Sequence, residues 1–261
     1  MRRLLLLIAL ALVTIASPAA ATPATPARTL TVLSFNIHHA AGEDGVFDLD
    51  RLAAEIRRTH ADVIGLQEVD RHYGERSGWT DEPAELASRL GMHVVYGANL
   101  DLEPPSAGQP RRQYGTAILS RHPILRWANT LLPKVNPAEE QRGLLTAVVN
   151  VRGVQVRVMT THLQHDSAAS RGLQAQVVAD AVAASKEPVV LTGDLNAPPD
   201  APELTPLTAR LRDGGNAFTY PADVPTARID YVLTTGLPLF SVVLPTAASD
   251  HRPVLTPLVV R

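Results

Sequence analysis

The chain has 261 residues, with 24 Lys and Arg against 26 Asp and Glu, no cysteine, and 45% hydrophobic but only 4% aromatic residues. The missing cysteine excludes a disulfide-stapled mini-protein, a thiolate zinc finger, a cysteine nucleophile and an iron–sulfur site. With this apolar content and no apolar run of membrane-spanning length, the chain is expected to bury a full core rather than cross a bilayer.

Met1-Arg2-Arg3 is basic, Leu4 to Ala16 is apolar, and Ala19-Ala20-Ala21 is a small-residue cleavage pattern. The apolar stretch is shorter than the roughly 20 residues a membrane helix needs. Residues 1–21 are therefore predicted to be a cleaved signal peptide, 22–28 a flexible Thr/Pro/Ala linker, and 29–261 one domain of a secreted, extracellular monomer. No cysteine follows the apolar run, which excludes a lipoprotein anchor, and no stable membrane anchor is expected. Losing Arg2 and Arg3 with no acid leaves the mature chain more acidic than the full chain's −2. That balance argues against sequence-independent coating of nucleic acid, which needs basic surfaces, and leaves nucleic acid open only as a substrate.

Strands and helices alternate along the rest. Leu30 to Ile37 reads as a strand, and Asp48 caps a helix carrying Leu49, Leu52, Ala53 and Ile56. Asp62 to Leu66 is a short apolar strand, and Asp81, Pro83 and Gly91 bracket a second helix with Leu86 and Leu90 on one face. Strands follow at His93 to Tyr96, Thr116 to Ser120, Leu144 to Val151 and Val154 to Thr161, the last two joined by the hairpin signal Arg152-Gly153. A third helix near Ser170 to Ser185 would place Leu173, Val177 and Ala181 along its apolar stripe. Strands at Pro188 to Thr192, Asp230 to Leu233, Leu239 to Leu244 and Val254 to Val260 complete the chain. Hairpins mixed with helical crossovers imply mixed sheets.

Four apolar strands finish on polar tips, at Asn36, Gln67-Glu68, His162 and Asp194-Leu195-Asn196, and two segments begin on one, at Asp230 and at Ser249-Asp250-His251. If the second group runs antiparallel to the first, all six meet on one rim. Carboxylates suit a hard cation such as Mg²⁺, amides orient water or phosphate, and a carboxylate behind an imidazole favours its cationic form. These are parts for phosphoester hydrolysis. Singly, each has a duller explanation as a turn, a cap or a hydrogen-bonded structural histidine; those explanations would have to hold at six segments together.

Leu66-Gln67-Glu68, Tyr114 to Arg121, Thr161-His162-Leu163, Gly193-Asp194-Leu195-Asn196, Ile229 to Val232 and Ser249 to Val254 resemble, in order, the motifs of the endonuclease/exonuclease/phosphatase superfamily. The resemblance implies an α/β fold with two packed mixed sheets flanked by helices, a four-layer α-β-β-α sandwich, and makes residues 29–261 the catalytic domain of a metal-dependent phosphoesterase. It implies Glu68 as principal Mg²⁺ ligand (Mn²⁺ in its place being the alternative), with Asn36 and Asp250 on the metal side. Asp194 and Asn196 would orient water and phosphate, and His162 would bind phosphate. His251, supported by Asp230, would act as base or transition-state stabiliser, with Asp194 as the other candidate base. Arg142 is a candidate phosphate clamp through its forked geometry, although a carboxylate-paired arginine reads equally well.

His162-Leu163-Gln164-His165 has a zinc-like spacing, but its acidic neighbours suit oxygen coordination. A secreted, non-catalytic binding module that kept the fold is the rival class; it is disfavoured because every expected acid, amide and imidazole is present. The substrate expectation is a phosphodiester, from nucleic acid, a phospholipid head group or another small phosphoester. Trp79 and Trp127, the only tryptophans, stand apart, so no aromatic membrane-docking hairpin is evident. The Pro-, Gly- and Arg-rich stretch from Leu100 to Gln113 is the expected specificity loop, with Arg111-Arg112 either facing substrate or solvated.

Overall fold

The strands of this chain are long wherever apolar residues run together, and the three longer helices begin at capping side chains, Asp48, Asp81 and Ser167. The computed structural model describes residues 27–261, so the signal-peptide assignment and all but the end of the linker lie outside the described residues. In chain order the first half contains β1 (Arg28–Asn36), α1 (Leu49–Arg58), β2 (Val63–Arg71), α2 (Glu82–Leu90), β3 (His93–Leu102), β4 (Arg112–Ser120) and β5 (Ile124–Leu131). The second contains β6 (Gly143–Val151), β7 (Val154–His162), α3 (Ala168–Ala183), β8 (Val189–Asp194), α4 (Thr205–Thr208), β9 (Arg212–Asp213), β10 (Asp230–Thr234), β11 (Leu237–Pro238), β12 (Val242–Val243) and β13 (Val254–Val260).

One sheet has the order β11-β13-β1-β2-β4-β3, with β12 also on β13; the other runs β5-β6-β7-β8-β10-β9. Each contains one parallel pair, β1 with β2 and β7 with β8, among antiparallel neighbours. Because β13 runs antiparallel to β1 and β10 antiparallel to β8, two strand starts are brought to the rim where β1, β7 and β8 end. The rim foreseen from the polar tips is a product of this topology.

Three apolar clusters separate four layers. Leu30, Val32, Val63 and Ile118 of the first sheet meet Leu145, Val149, Val158, Val190 and Val232 of the second. Leu33, Phe35, Ile64 and Leu66 pack outward on Leu52, Ile56 and Leu86 of α1 and α2. Met159, Leu191 and Leu233 do the same against Ala175, Val178 and Val182 of α3. This is the four-layer α-β-β-α sandwich. The two sheets approach closely at Gly65, where an added Cβ would fall 1.8 Å from Thr192 Oγ1.

The caps work as read: Asp48 accepts from Arg51 N at 2.9 Å, Asp81 from Ala84 N at 3.1 Å, and Gly91 closes α2 with φ +64°. Arg152 and Gly153, at φ +50° and +94°, make the β6–β7 hairpin turn.

Five points of the sequence reading require correction. β5 was not anticipated: it is an edge strand whose Leu125, Trp127 and Leu131 are exposed, so burial imposes no alternation on its sequence. In α3 the buried face is Ser170, Gln174, Ala175, Val178, Ala179 and Val182, while Leu173 is 50% exposed; small residues pack on the sheet there, and the larger ones misled the stripe. Leu239 to Leu244 is not one strand but contributes only β12, since Leu239 and Phe240 are exposed rather than buried under a neighbour. The Leu100 to Gln113 stretch shrinks to a connection over 103–111, because β3 and β4 pair as far as Leu102 with Arg112. At the N-terminus Arg28, read as linker, already pairs with Val260.

Candidate active site

At the shared rim, backbone geometry decides where each polar side chain points. Asn36, Asp194 and Asp230 are fully buried, the first two as the last residues of β1 and β8 and the third as the first of β10. The Asn36 amide is oriented by His38 N, which donates to its Oδ1 at 3.2 Å, so its Nδ2 donates to Glu68 Oε1 at 2.9 Å and Asp194 Oδ2 at 3.1 Å. Its Nδ2 lies 3.5 Å from His251 Nε2. His251 Nδ1 is 2.9 Å from Asp230 Oδ2, and its Nε2 faces Asp194 Oδ2 at 3.7 Å. His162 Nε2 approaches the same Asp194 oxygen at 3.5 Å. Side chains from six chain segments thus form one connected cluster.

Two of these residues hold left-handed backbone. Glu68 was read as a strand tip, yet β2 continues to Arg71; a bulge between Leu66 and Val69 puts Glu68 at φ +57° and turns it out of the alternation. Its neighbour Gln67 stays between the sheets, donating to Thr160 Oγ1 at 2.8 Å. Asn196, at φ +50°, donates its backbone N–H to Asp194 Oδ1 at 2.9 Å and its amide to Leu163 O at 3.0 Å. Ser249 donates to Asn36 O at 2.7 Å and accepts from His251 N at 3.2 Å, tying the last loop to β1. Asp250 stands apart, half-buried, with its carboxylate 3.7 Å from His38 Nδ1.

Charge in the cluster follows from burial and proximity. Burial opposes a charge on His251, but Asp230, with Asp194 and Asp250 adding to it, overrides this and holds the imidazole up at about 10. Burial, then the Asp230 carboxylate, raises the Asp194 carboxyl far above the usual carboxylate range. His162 is pushed the other way, well below the ordinary imidazole value, by burial and then by Arg142. The site therefore pairs one cationic imidazole with one neutral one.

Arg142, only 4% exposed, adds to the effect of burial on the second. Its guanidinium reaches His162 Nδ1 at 3.0 Å, Gln164 Oε1 at 3.3 Å, His165 Nδ1 at 3.4 Å and Glu140 Oε1 at 2.7 Å. Because a guanidinium only donates, His162 must accept at Nδ1 and carry its proton on Nε2, facing Asp194. The guanidinium also occupies the Nδ1 side of both histidines of the zinc-like spacing. Arg142→Ala is expected to free the ring: kcat should fall on the order of tenfold to a hundredfold with little change in KM. The His162 imidazole resonances should show mixed tautomers by NMR, and a single unchanged tautomer would contradict this role.

Arg111 is tied within the β3–β4 hairpin, by ion pairs to Asp101 and Glu103 at 2.8 Å. Arg112 lies over Tyr73 and Trp79 at 5.4 and 6.0 Å from the ring centroids. Beside it, Arg76 pairs in a fork with the buried Asp70 and stacks 4.4 Å from the Tyr73 centroid. Tyr220 covers His251 with ring centroids 4.6 Å apart. Sequence reasoning missed Arg76 and Tyr220, and also His38 and His39, although both directly follow Asn36-Ile37. His39 is driven down to about 4, by burial first and then by Arg76, and is neutral at ordinary pH.

Two groups bring three potential ligand atoms within 4.8 Å of one another: His38, His39 and Glu68, which fit a divalent cation, and Asp194, Asp230 and His251, where the cationic imidazole has no lone pair to give and only the carboxylates could serve. Asp230 Oδ1 and His38 Nδ1 are buried without a hydrogen-bond partner, one in each group.

A sequence profile described as the endonuclease/exonuclease/phosphatase family matches residues 33–251. A solved structure of an endonuclease/exonuclease/phosphatase from Beutenbergia cavernae is 31% identical, covers 88% of this chain and 71% of its own, and superposes with a TM-score of 0.74. Protein cwh43 of Schizosaccharomyces pombe is 30% identical over 67% of this chain, which spans only 16% of that protein's length. The Escherichia coli protein YbhP is 29% identical over 85% of this chain and 93% of its own. The match extends across the two sheets and all six polar segments, and the chain belongs to the endonuclease/exonuclease/phosphatase family.

Proposed function

We propose that the protein is a secreted, divalent-metal-dependent phosphodiesterase that uses an activated water for in-line attack on phosphorus. The observation that carries this reading is the unbroken contact chain from Glu68 through Asn36 and Asp194 to His251 and Asp230, all on one rim. Export rests on the composition of residues 1–21.

Mg²⁺, or Mn²⁺, held by Glu68 with Asn36 and Asp250 alongside, would neutralise charge on a phosphoryl oxygen. His251, cationic through Asp230, donates from Nε2 to an oxygen that gains charge in the transition state. Asp194, with its raised carboxyl, accepts the proton of the attacking water near neutral pH. His162 donates from Nε2 to an equatorial phosphate oxygen, and Arg142 holds that tautomer. Asn196 positions Asp194 through its backbone N–H and closes the phosphate side of the site.

The test uses bis-p-nitrophenyl phosphate, plasmid DNA, RNA and phospholipid vesicles, each with Mg²⁺ or EDTA. Glu68→Gln is expected to lose at least a thousandfold in kcat/KM on every substrate that wild type cleaves, on the order expected for removing a charge-stabilising group and its metal. Hydrolysis that is indifferent to EDTA and to this substitution would refute the reading. The substrate hydrolysed fastest identifies the diester class.

A further inference from the structure

We propose that His38 and His39, together with Glu68, form a binding site for a first-row transition dication of the Zn²⁺ or Co²⁺ type. The proposal rests on the reading above only through Glu68 as a ligand. It adds two nitrogen donors that oxygen-seeking Mg²⁺ does not use.

Adjacent side chains in an extended chain point to opposite faces, so two neighbouring histidines ordinarily cannot share a ligand. Here the backbone is bent to allow it: His38, His39 and Ala40 take φ of +44°, +43° and +55° in succession. Such conformations are uncommon for residues other than glycine and persist where their surroundings enforce them. Ala40 N and Ala41 N, each 2.8 Å from the carbonyls of Ile37 and His38, lock the turn. Both imidazoles are thereby gathered beside Glu68, their ring centroids 4.5 Å apart, with one donor atom of each of the three side chains within 4.8 Å of the others.

His38 Nδ1 is buried and makes no hydrogen bond, since the Asp250 carboxylate at 3.7 Å is beyond hydrogen-bond reach. A buried imidazole nitrogen lacking a partner is costly unless a ligand satisfies it. Two imidazoles and one carboxylate, with open positions remaining, are the donor set of zinc and other borderline ions, whereas Mg²⁺ demands near-octahedral oxygen. Asp250 is placed to meet an outer ligand or water of the bound ion.

The direct test is a crystal of the mature, untagged protein soaked with Zn²⁺ and recorded at the zinc absorption edge. The expected result is an anomalous peak within bonding distance of His38, His39 and Glu68; zinc peaks only at other places overturn the proposal. In solution, metal-stripped protein is titrated with Co²⁺ by visible absorption and with Zn²⁺ by competition against a chelating dye. His38→Asn and His39→Asn, substitutions that tolerate the same left-handed backbone, are each expected to raise the Zn²⁺ Kd at least tenfold, and together to abolish the Co²⁺ bands. A double variant with the wild-type Kd and spectrum also overturns the proposal, and the crystal soak needs no variant to fold. Mg²⁺-dependent hydrolysis by wild type, run alongside, reports separately on the catalytic reading: activity that persists in EDTA sinks that reading and leaves the zinc peak to decide this one.

Discussion

Asp230→Asn should move the alkaline limb of kcat/KM from near pH 10 down toward the ordinary imidazole range, and should lower the rate at its optimum on the order of a hundredfold to ten-thousandfold. In the folded protein His251 is held at about 10 despite its burial, because Asp230 faces it at 2.9 Å with Asp194 and Asp250 behind. A raised imidazole stabilises the fold fully below its unfolded value and loses that contribution as pH climbs through the folded value. The His251–Asp230 pair therefore stabilises the fold fully below about pH 6.5 and progressively less up to about pH 10, whereas the imidazole itself stays cationic through the neutral range. Asparagine retains an acceptor for Nδ1 and removes the charge, so the geometry is kept while the electrostatic support disappears. Wild-type protein should also lose this stability progressively between about pH 6.5 and about pH 10, in a manner absent from the variant, measured by urea unfolding at stepped pH. An unshifted alkaline limb would mean that His251 is not the group titrating there.

The second large effect is structural. Gly65→Ala would drive a methyl group to 1.8 Å from Thr192 Oγ1, 2.8 Å from Thr192 Cβ and 3.0 Å from Thr160 Oγ1. None of these atoms ends a long flexible side chain. Thr192 Oγ1 is engaged with Met159 O at 3.1 Å, and Thr160 Oγ1 receives Gln67 at 2.8 Å. The sheets must part or both hydroxyl contacts must break, and such overpacking costs about 1–3 kcal/mol or more. At a few degrees per kcal/mol for a domain of this size, the melting temperature should drop by roughly 5 °C or more. Adding Thr192→Ala should recover part of the loss. A melting temperature unchanged in Gly65→Ala would show that the sheets can shift freely at this point.

Much of this architecture could be read from local signals. The caps at Asp48 and Asp81, the Arg152-Gly153 turn and the apolar strands reporting directly on burial led to mixed sheets, and the family resemblance supplied their number and packing. The polar tips at Asn36, His162 and Asp194 stood out because turn, cap and structural-histidine explanations, adequate for one of them, would have to hold at six segments together. What was illegible depended on tertiary context. β5 lies at an edge, half out of the core, and carries no period. The inner face of α3 uses Ala and Val where a close helix–sheet contact leaves no room for Leu173. Glu68 could be named but not its bulge, because a single positive φ leaves no mark on the residues around it. His38 and His39 went unread because neighbouring side chains in an extended chain ordinarily diverge, and Arg142 could not be assigned until the histidines it touches were fixed in space.

The cluster draws equally on the two sheets: Asn36, Glu68 and His251 come from the β1–β2–β13 side, and His162, Asp194 and Asp230 from β7, β8 and β10. Neither half carries a full complement of groups, and the second sheet is one uninterrupted stretch of chain from β5 to β10, set within the first. Competence for the reaction is thus stored in the seam, and a slip of one layer over the other by about 1 Å, of the order that costs a hundredfold in rate, would spoil the alignment while leaving every strand paired. An enzyme made this way needs no separate device to stay silent until it has finished folding.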